Sequence, residues 1–177
     1  MTGYAELQVT SNYSFLRGAS HPDELVIAAK ALGLAAIGIA DRNTLAGAVR
    51  AHVAAKRAGI KLLVGARLTP EDGPEVLCYP TDRAAYGRLC RLLTLGKRRA
   101  KKGDCRFTLE ELVAHGEGQV LIVLPPEAPD AGFRDDLARL GRRFQGACFL
   151  AGQHLARGDD ARRLMRLADL AAAAALP

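Results

Sequence analysis

Two kinds of apolar pattern alternate along this chain. Short, nearly continuous apolar runs, such as residues 34–40 and 60–64, are typical of strands buried on both faces. Longer segments with apolar residues three and four positions apart, such as residues 21–33 and 43–58, are typical of helices packed on one side. A glycine stands at the end of each helical segment, where glycine commonly stops a helix. The pattern therefore predicts repeated strand–helix units.

The same pattern extends to the last residues. Thr81 is the predicted cap of a long helix, and Thr108-Leu-Glu-Glu is a capping box that opens a short one. Repeated strand–helix units favour an α/β fold with a parallel sheet or barrel. The predicted order is strand 4–10, helix 21–33, strand 34–40, helix 43–58, strand 60–64, strand 75–79, the helices after Thr81 and Thr108, strand 119–124, helix 130–143, strand 148–151 and a helix after Gly158.

Helical spacing also predicts which side chains face the core. Ser20 is the expected N-cap of the first helix, with Pro22 in its first turn. The expected core-facing positions are Leu25, Ala28, Ala29 and Leu32 in the first helix, Leu45, Val49 and Val53 in the second, and Tyr86, Leu89, Cys90 and Leu93 in the helix after Thr81.

Length and composition favour one domain with an aliphatic core. The chain has 177 residues, nearly half of them apolar, and no Trp. No apolar run approaches the roughly 20 residues that span a bilayer, so no membrane partner is expected. The first residues, Met-Thr-Gly-Tyr-Ala-Glu, do not resemble a secretory signal, and the four cysteines lack C-x-x-C spacing. These features predict a cytoplasmic protein with reduced thiols.

The basic excess is concentrated in one segment. The formal net charge is +6, and residues 83–106 contain nine Lys or Arg and one acid. Within it, the stretch from Lys97 to Lys102 has two interpretations: a solvated connecting loop, or a patch that contacts phosphates or a partner protein. Single-strand binders usually add aromatic stacking platforms, and the segment is poor in aromatics, which favours the solvated surface. The patch residues are Lys97, Arg98, Arg99, Lys101 and Lys102.

The ends of the first three predicted strands carry an unusual set of side chains. Gln8 and Thr10 close the first strand, Asp41 and Arg42 the second, and Arg67 the third. In a parallel barrel these ends converge on one mouth, where catalytic side chains usually lie. Divalent metals there prefer imidazole or carboxylate ligands, whereas arginine repels a cation. We therefore expect no metal here, with Arg42 or Arg67 pairing with Asp41 or Glu6.

Several stretches together resemble one family. Residues 4–20, Ala40-Asp41 with Leu45-Ala-Gly47, and residues 58–65 are similar to the polymerase and histidinol phosphatase (PHP) domain of bacterial DNA polymerase III alpha subunits. Residues 80–94 and 154–163 resemble the error-prone branch. The resemblance implies a distorted (β/α)7 barrel, incomplete here at its C-terminal end. It also implies that residues 1–177 are a PHP domain forming the N-terminal fragment of a larger polymerase.

The resemblance also places the strand-end residues in a family pattern. Metal-binding members end these strands in His-x-His, Asp-His and Gly-x-Glu. The matching positions here are Gln8 and Thr10, Asp41 and Arg42, and Arg67, so only Asp41 keeps the ligand type. The resemblance therefore predicts a degenerate metal site.

The implied function is that of the parent protein, a nucleotidyltransferase that copies damaged templates in translesion synthesis, DNA replication and DNA repair. Its Mg²⁺ would be bound outside this chain, and the domain itself would need no cofactor. The domain would be an inactive scaffold whose partners are the remaining polymerase domains, DNA through the parent, and other translesion or replication proteins. Two alternatives stay open: a metal-dependent phosphoesterase or 3′–5′ exonuclease with a rearranged site, and a DNA-binding module formed by residues 83–106.

The remaining polar residues are expected to be structural. His21, His52, His115 and His154 are scattered, and helix-end or surface positions account for them, with His154 nearest the predicted mouth. Asp159-Asp160 is explained by a helix N-terminus, where carboxylates are favoured. Ser11 and Ser14 lie near the predicted mouth, and no base is evident beside them.

Overall fold

A computed structural model describes residues 3–154 and 156–177. Strands and helices alternate along nearly the whole chain, as the sequence pattern predicts. The elements are β1 (Ala5–Val9), α1 (Pro22–Ala31), β2 (Ala36–Arg42), α2 (Ala48–Ala58), β3 (Lys61–Leu68), β4 (Val76–Pro80), α3 (Arg83–Arg99), α4 (Leu109–Ala114), β5 (Gln119–Val123), α5 (Ala131–Arg143), β6 (Cys148–Leu150) and α6 (Asp160–Ala173).

The chain divides into two compact units. The first contains the described residues up to Leu68 together with Leu77–Pro80, and the second contains Thr69–Val76 and Thr81–Pro177. In the first unit β1 pairs with β2 and β2 with β3, both in parallel. The β2 strand is buried except for its last residue, Arg42, because strands pair on both sides of it and helices cover it.

The core of the first unit is formed by small and β-branched side chains. Ala29 of α1 and Ala51 and Ala55 of α2 pack with Ile37 and Ile39 of β2. The predicted core-facing positions of α1 and α2 are therefore partly wrong: Leu32 is 77% exposed and Val49 is 75% exposed. Alanine occupies the contact positions because α1 and α2 pack closely against each other and against β2, which leaves the larger side chains outside.

Two helix caps also lie one residue from their predicted positions. The N-cap of α1 is His21 rather than Ser20, and the Glu24 carboxylate accepts the His21 N–H at 2.7 Å. The N-cap of α3 is Asp82 rather than Thr81, since the Asp82 carboxylate accepts the Ala85 N–H at 2.7 Å. A carboxylate at these positions satisfies a free N–H and interacts favourably with the helix dipole.

The second unit contains α3–α6 and the parallel pair β5–β6. The predicted capping box of α4 is confirmed: Thr108 Oγ1 accepts the Glu111 N–H at 3.3 Å, and the Glu111 carboxylate accepts the Thr108 N–H at 3.0 Å. The most deeply buried side chains of the second unit include Leu89, Phe107 and Leu121. The aliphatic core predicted from composition is therefore present here as well.

The predicted fold class, α/β with parallel strands, is confirmed. Six strands occur in the described part of the chain, where the family resemblance implies a seven-stranded barrel. None of the helices in the described residues is long and apolar enough to cross a membrane.

Candidate functional site

The carboxyl ends of β1, β2 and β3 bring the five predicted strand-end residues to one side of the first unit. The strands are parallel and adjacent, and Arg42 of β2 lies directly opposite Arg67 of β3 in the register. Gln8 lies in β1, and Thr10 immediately follows that strand. The structure therefore places two guanidinium-bearing residues side by side at the end of the sheet.

The carboxylate of Asp41 is buried and accepts three hydrogen bonds from one loop. Ser11 donates its N–H to Asp41 Oδ1 at 2.8 Å and its hydroxyl to Oδ2 at 2.7 Å. Ser14 donates its hydroxyl to Oδ1 at 2.7 Å. Burial of an ionised carboxylate is costly unless hydrogen bonds compensate for lost hydration, and these three donors supply that compensation. The loop between β1 and α1 is thereby tied to the end of β2.

The Ser14 hydroxyl is fully engaged in this arrangement. It donates to Asp41 and accepts the backbone N–H of Arg42 at 2.9 Å. Gly47, the residue before α2, lies so close that a Cβ there would be 3.0 Å from Asp41 Oδ2 and 3.3 Å from Ser11 Oγ. The site is consequently a closely packed polar cluster with little space beside the carboxylate.

The hydrogen bonds that Asp41 and Glu6 accept come from groups other than the expected arginines. The Asp41 partners are the two serines, while Glu6 accepts the Tyr4 hydroxyl at 2.9 Å and the Gln8 N–H at 2.8 Å. Arg42 is exposed at the end of its strand. The sequence signal for the true partners was the pair Ser11 and Ser14, which sequence reasoning placed near the mouth without assigning them a role.

These residues do not fit a divalent cation. Asp41 is the single carboxylate of the set, and its lone pairs are directed to hydroxyl and amide donors. Gln8 and Thr10 offer neutral oxygens, and arginine cannot act as a ligand. Among residues 3–154 and 156–177, no group of three or more His, Cys, Asp or Glu side chains is arranged to hold a metal ion. We therefore derive no metal-dependent step at this site.

Tyr79 fills the space beside these strands inside the first unit. Its hydroxyl donates to the Leu7 carbonyl, and burial raises the pKa of the phenol. Gly38 and Gly65 leave room for the ring, since a Cβ at Gly65 would lie 2.5 Å from it. A packed aromatic ring thus supports the strands that end in the candidate site.

The basic segment of the second unit is partly helical, which corrects its interpretation as a connecting loop. Lys97, Arg98 and Arg99 form the last turn of α3, where cations interact favourably with the helix dipole. The helix continues through Gly96, whose lack of a side chain allows close packing, since a Cβ there would lie 2.6 Å from the Cys105 sulfur. All five predicted patch residues are exposed: Lys97, Arg98, Arg99, Lys101 and Lys102. Arg99 pairs with Glu111.

The other candidates have local structural roles. His21 caps α1, and its Nδ1 lies 2.8 Å from the Asn12 side-chain amide. His115 ends α4, with its Nδ1 2.8 Å from the Glu111 carbonyl. Asp160, in the first turn of α6, accepts the Arg157 N–H at 2.8 Å. None of these contacts forms a catalytic arrangement within the described residues.

Comparison with known proteins identifies the family of this chain. The family model for the PHP domain matches residues 6–164, and this chain belongs to that family. It is 51% identical over 175 residues to an error-prone DNA polymerase of Caulobacter vibrioides and 48% identical over 179 residues to error-prone DNA polymerase 1 of Agrobacterium fabrum. Each alignment covers 98% of this chain and 16% of the relative. The chain therefore spans about one sixth of the length of these relatives.

Solved structures share the fold at low sequence identity. A protein from Bifidobacterium adolescentis, described as a metal-dependent phosphoesterase, matches with a TM-score of 0.74 and 18% identity, over 99% of this chain and 85% of that one. An amidohydrolase from Chromobacterium violaceum with bound sulfate and no metal matches with a TM-score of 0.64 and 21% identity, over 97% and 84%. These similarities support the PHP-type α/β fold.

Proposed function

We propose that this chain is a scaffold domain of an error-prone DNA polymerase and that it performs no hydrolysis itself. The parent polymerase copies damaged templates in the cytoplasm, and its Mg²⁺ is bound by residues outside this chain. The PHP domain packs against the remaining polymerase domains and meets DNA through them. Similarity to named error-prone polymerases over 98% of the chain supports the parent's identity.

The hydrogen bonding of Asp41 supports the scaffold role. This residue is the one position that keeps the family's ligand type, and Ser11 and Ser14 direct three donors at its two oxygens. A cation would have to displace donors that are already paired and then accept Gln8, Thr10, Arg42 and Arg67 as neighbours. The carboxylate therefore stabilises the loop between β1 and α1 instead of binding a metal.

Metal content and turnover test the scaffold role directly. The purified chain is incubated with Mn²⁺ or Zn²⁺, freed of excess metal and analysed by elemental analysis. It is then assayed with p-nitrophenyl phosphate and with 3′-labelled single-stranded DNA. We expect substoichiometric metal and no turnover above a protein-free control. Stoichiometric metal together with turnover that Asp41→Ala abolishes would instead establish the rival phosphoesterase or exonuclease.

A variant with the family's ligand types provides the positive control. Gln8→His, Thr10→His, Arg42→His and Arg67→Glu together replace amide, hydroxyl and guanidinium groups with imidazoles and a carboxylate. We expect this variant to retain more metal than the native chain. Primer extension by the full-length gene product, on intact and damaged templates, tests the parent's identity separately.

A further inference from the structure

The loop between β1 and α1 presents adjacent large apolar side chains to solvent. Phe15 is 85% exposed and Leu16 is 89% exposed, and Tyr13 beside them is also exposed. Single exposed apolar residues are common, but contiguous apolar surface on an otherwise polar loop marks interaction sites. The arrangement calls for a physical reason, since loops ordinarily carry polar residues at such positions.

Hydrogen bonds fix the backbone on both sides of this apolar tip. On one side, Ser11 and Ser14 are bound to the buried Asp41. On the other side, the backbone N–H groups of Arg17 and Gly18 donate to the Ser14 carbonyl at 2.9 and 3.1 Å. A preorganised backbone loses less conformational entropy on binding than a free one, so this loop suits a docking element.

Leu16 also has an unusual backbone conformation. Its φ is +61°, in the left-handed region that leucine rarely adopts. The side chain gains almost no burial in return, because it remains exposed. Strain of this kind persists where the surroundings impose it, and it is concentrated at functional sites. The backbone therefore directs Phe15 and Leu16 outward at an energetic cost.

An open groove lies next to this loop in the same unit. It has a volume of about 500 Å³ and is lined by Tyr13 of the loop and by Val49, Val53 and Arg57 of α2, among others. Val49 and Val53 are the apolar residues that sequence periodicity placed in the core and that the structure exposes. Tyr13 belongs to both features, which connects the protruding tip to an adjacent apolar depression.

The charges around this surface are mainly positive. Asp23 lines the groove but is paired with Arg50, whose Nε lies 2.7 Å from Asp23 Oδ1. Arg17 follows the tip directly, and Arg57 lines the groove. Within the described residues neither Arg17 nor Arg57 forms an ion pair. A complementary partner therefore offers apolar side chains surrounded by carboxylates.

We propose that Tyr13, Phe15, Leu16 and the groove on α2 form one docking surface for the rest of the polymerase polypeptide. The occupant is an apolar pocket with an acidic rim, carried by the same chain outside these 177 residues. This inference rests on the proposed function, because the named relatives carry about five sixths of their length outside the matched region. Asp41 acts here as a positioning residue that fixes the docking loop.

Site-specific photo-crosslinking in the full-length gene product tests the surface. Benzoylphenylalanine replaces Phe15, and crosslinked peptides are identified by mass spectrometry. We expect intramolecular crosslinks from position 15 to peptides outside residues 1–177, flanked by Asp or Glu. Position 32 is the matched control, since Leu32 is an exposed leucine at the end of α1, away from the tip. It should give no such product.

Every other outcome of the photo-crosslinking experiment overturns the proposed docking surface. Crosslinks to a second copy would indicate a dimer interface, crosslinks to DNA would indicate base stacking on Phe15, and no crosslink would mean that the tip stays in solvent. Primer extension by the same preparation reports on the proposed function independently. Crosslinks without primer extension would refute the polymerase assignment but support the docking surface. Primer extension without crosslinks would support the polymerase assignment but refute the docking surface.

A second measurement separates docking from folding. In the full-length protein, Phe15→Ser with Leu16→Ser should speed proteolytic separation of this domain by about tenfold, because both apolar side chains of the tip are lost. In the 177-residue chain the same pair should leave the thermal midpoint unchanged, because both side chains are exposed. Equal proteolysis of variant and native full-length protein would overturn the proposal.

Discussion

The Ser14 hydroxyl and the Asp41 carboxylate lie 2.7 Å apart although 27 positions separate them in the chain. The contact joins the loop after β1 to the end of β2, and the same hydroxyl accepts the Arg42 N–H. Asp41 thus acts as a structural acceptor for this loop. The energetic consequences of these contacts can be measured residue by residue.

Removal of the Asp41 carboxylate should destabilise the chain strongly. Asp41→Ala leaves the Ser11 N–H and two hydroxyls without their acceptor in a buried site, so we expect a loss of about 2–4 kcal/mol in the free energy of unfolding. Urea denaturation provides the measurement. Asp135→Ala, at an exposed position of α5, is the control and should change stability by less than about 0.5 kcal/mol. A loss equal to that of the control would contradict the role assigned to Asp41.

Ser14 and Asp41 should be energetically coupled. In a double-mutant cycle with Ser14→Ala and Asp41→Asn, we expect a coupling free energy of about 1–2 kcal/mol, because the hydroxyl donates to an ionised oxygen. The four proteins are compared by urea denaturation under one condition. Additive effects would show that the two residues stabilise the fold separately.

Two glycine substitutions should have opposite effects. Gly47→Ala places a Cβ 3.0 Å from Asp41 Oδ2 and 3.1 Å from Pro22 Cγ, so we expect a loss of about 1–3 kcal/mol from overpacking. Gly87→Ala lies within α3 with open space around the new Cβ, and should stabilise by about 0.5–1 kcal/mol through helix propensity. Thermal unfolding of both variants checks the signs, and the same sign for both would be the unexpected result.

Stability should fall at alkaline pH because of Cys78. Burial raises the pKa of this thiol from 9.0 to about 12, so the folded state keeps a proton that the unfolded state releases. The contribution is fully present below pH 9 and is lost as pH rises towards 12, by about 1.4 kcal/mol per pH unit. Cys78→Ala should flatten this decline in urea titrations between these values. An unchanged slope would mean that other groups dominate.

The exposed cationic side chains after Gly96 should contribute little to DNA binding if they only form a solvent-exposed surface. We expect Arg98→Ala with Lys101→Ala and Lys102→Ala to leave the salt dependence of single-stranded DNA binding by the full-length protein unchanged. Direct phosphate contacts would lower the log–log slope by about 0.7 for each lost contact. Fluorescence anisotropy over a salt series distinguishes the two results, with circular dichroism as the check on folding. A lower slope would favour the alternative of a DNA-binding module.

The sequence predicts the order of elements well because strands such as 34–40 carry a continuous apolar pattern that local periodicity detects. It also locates the strand-end residues, since parallel strands bring their carboxyl ends together. The sequence pattern wrongly predicts that Val49 and Leu32 face the core. Helical spacing is judged mainly from large apolar residues, whereas α1 and α2 contact each other and β2 through alanines. The partners of Asp41 depend on the path of a loop, which periodicity does not encode.

The two serine hydroxyls that donate to Asp41 hold the loop after β1 against the end of β2. Any rearrangement of that loop must break buried hydrogen bonds to an acidic side chain, so the loop is confined to one path across the end of the sheet.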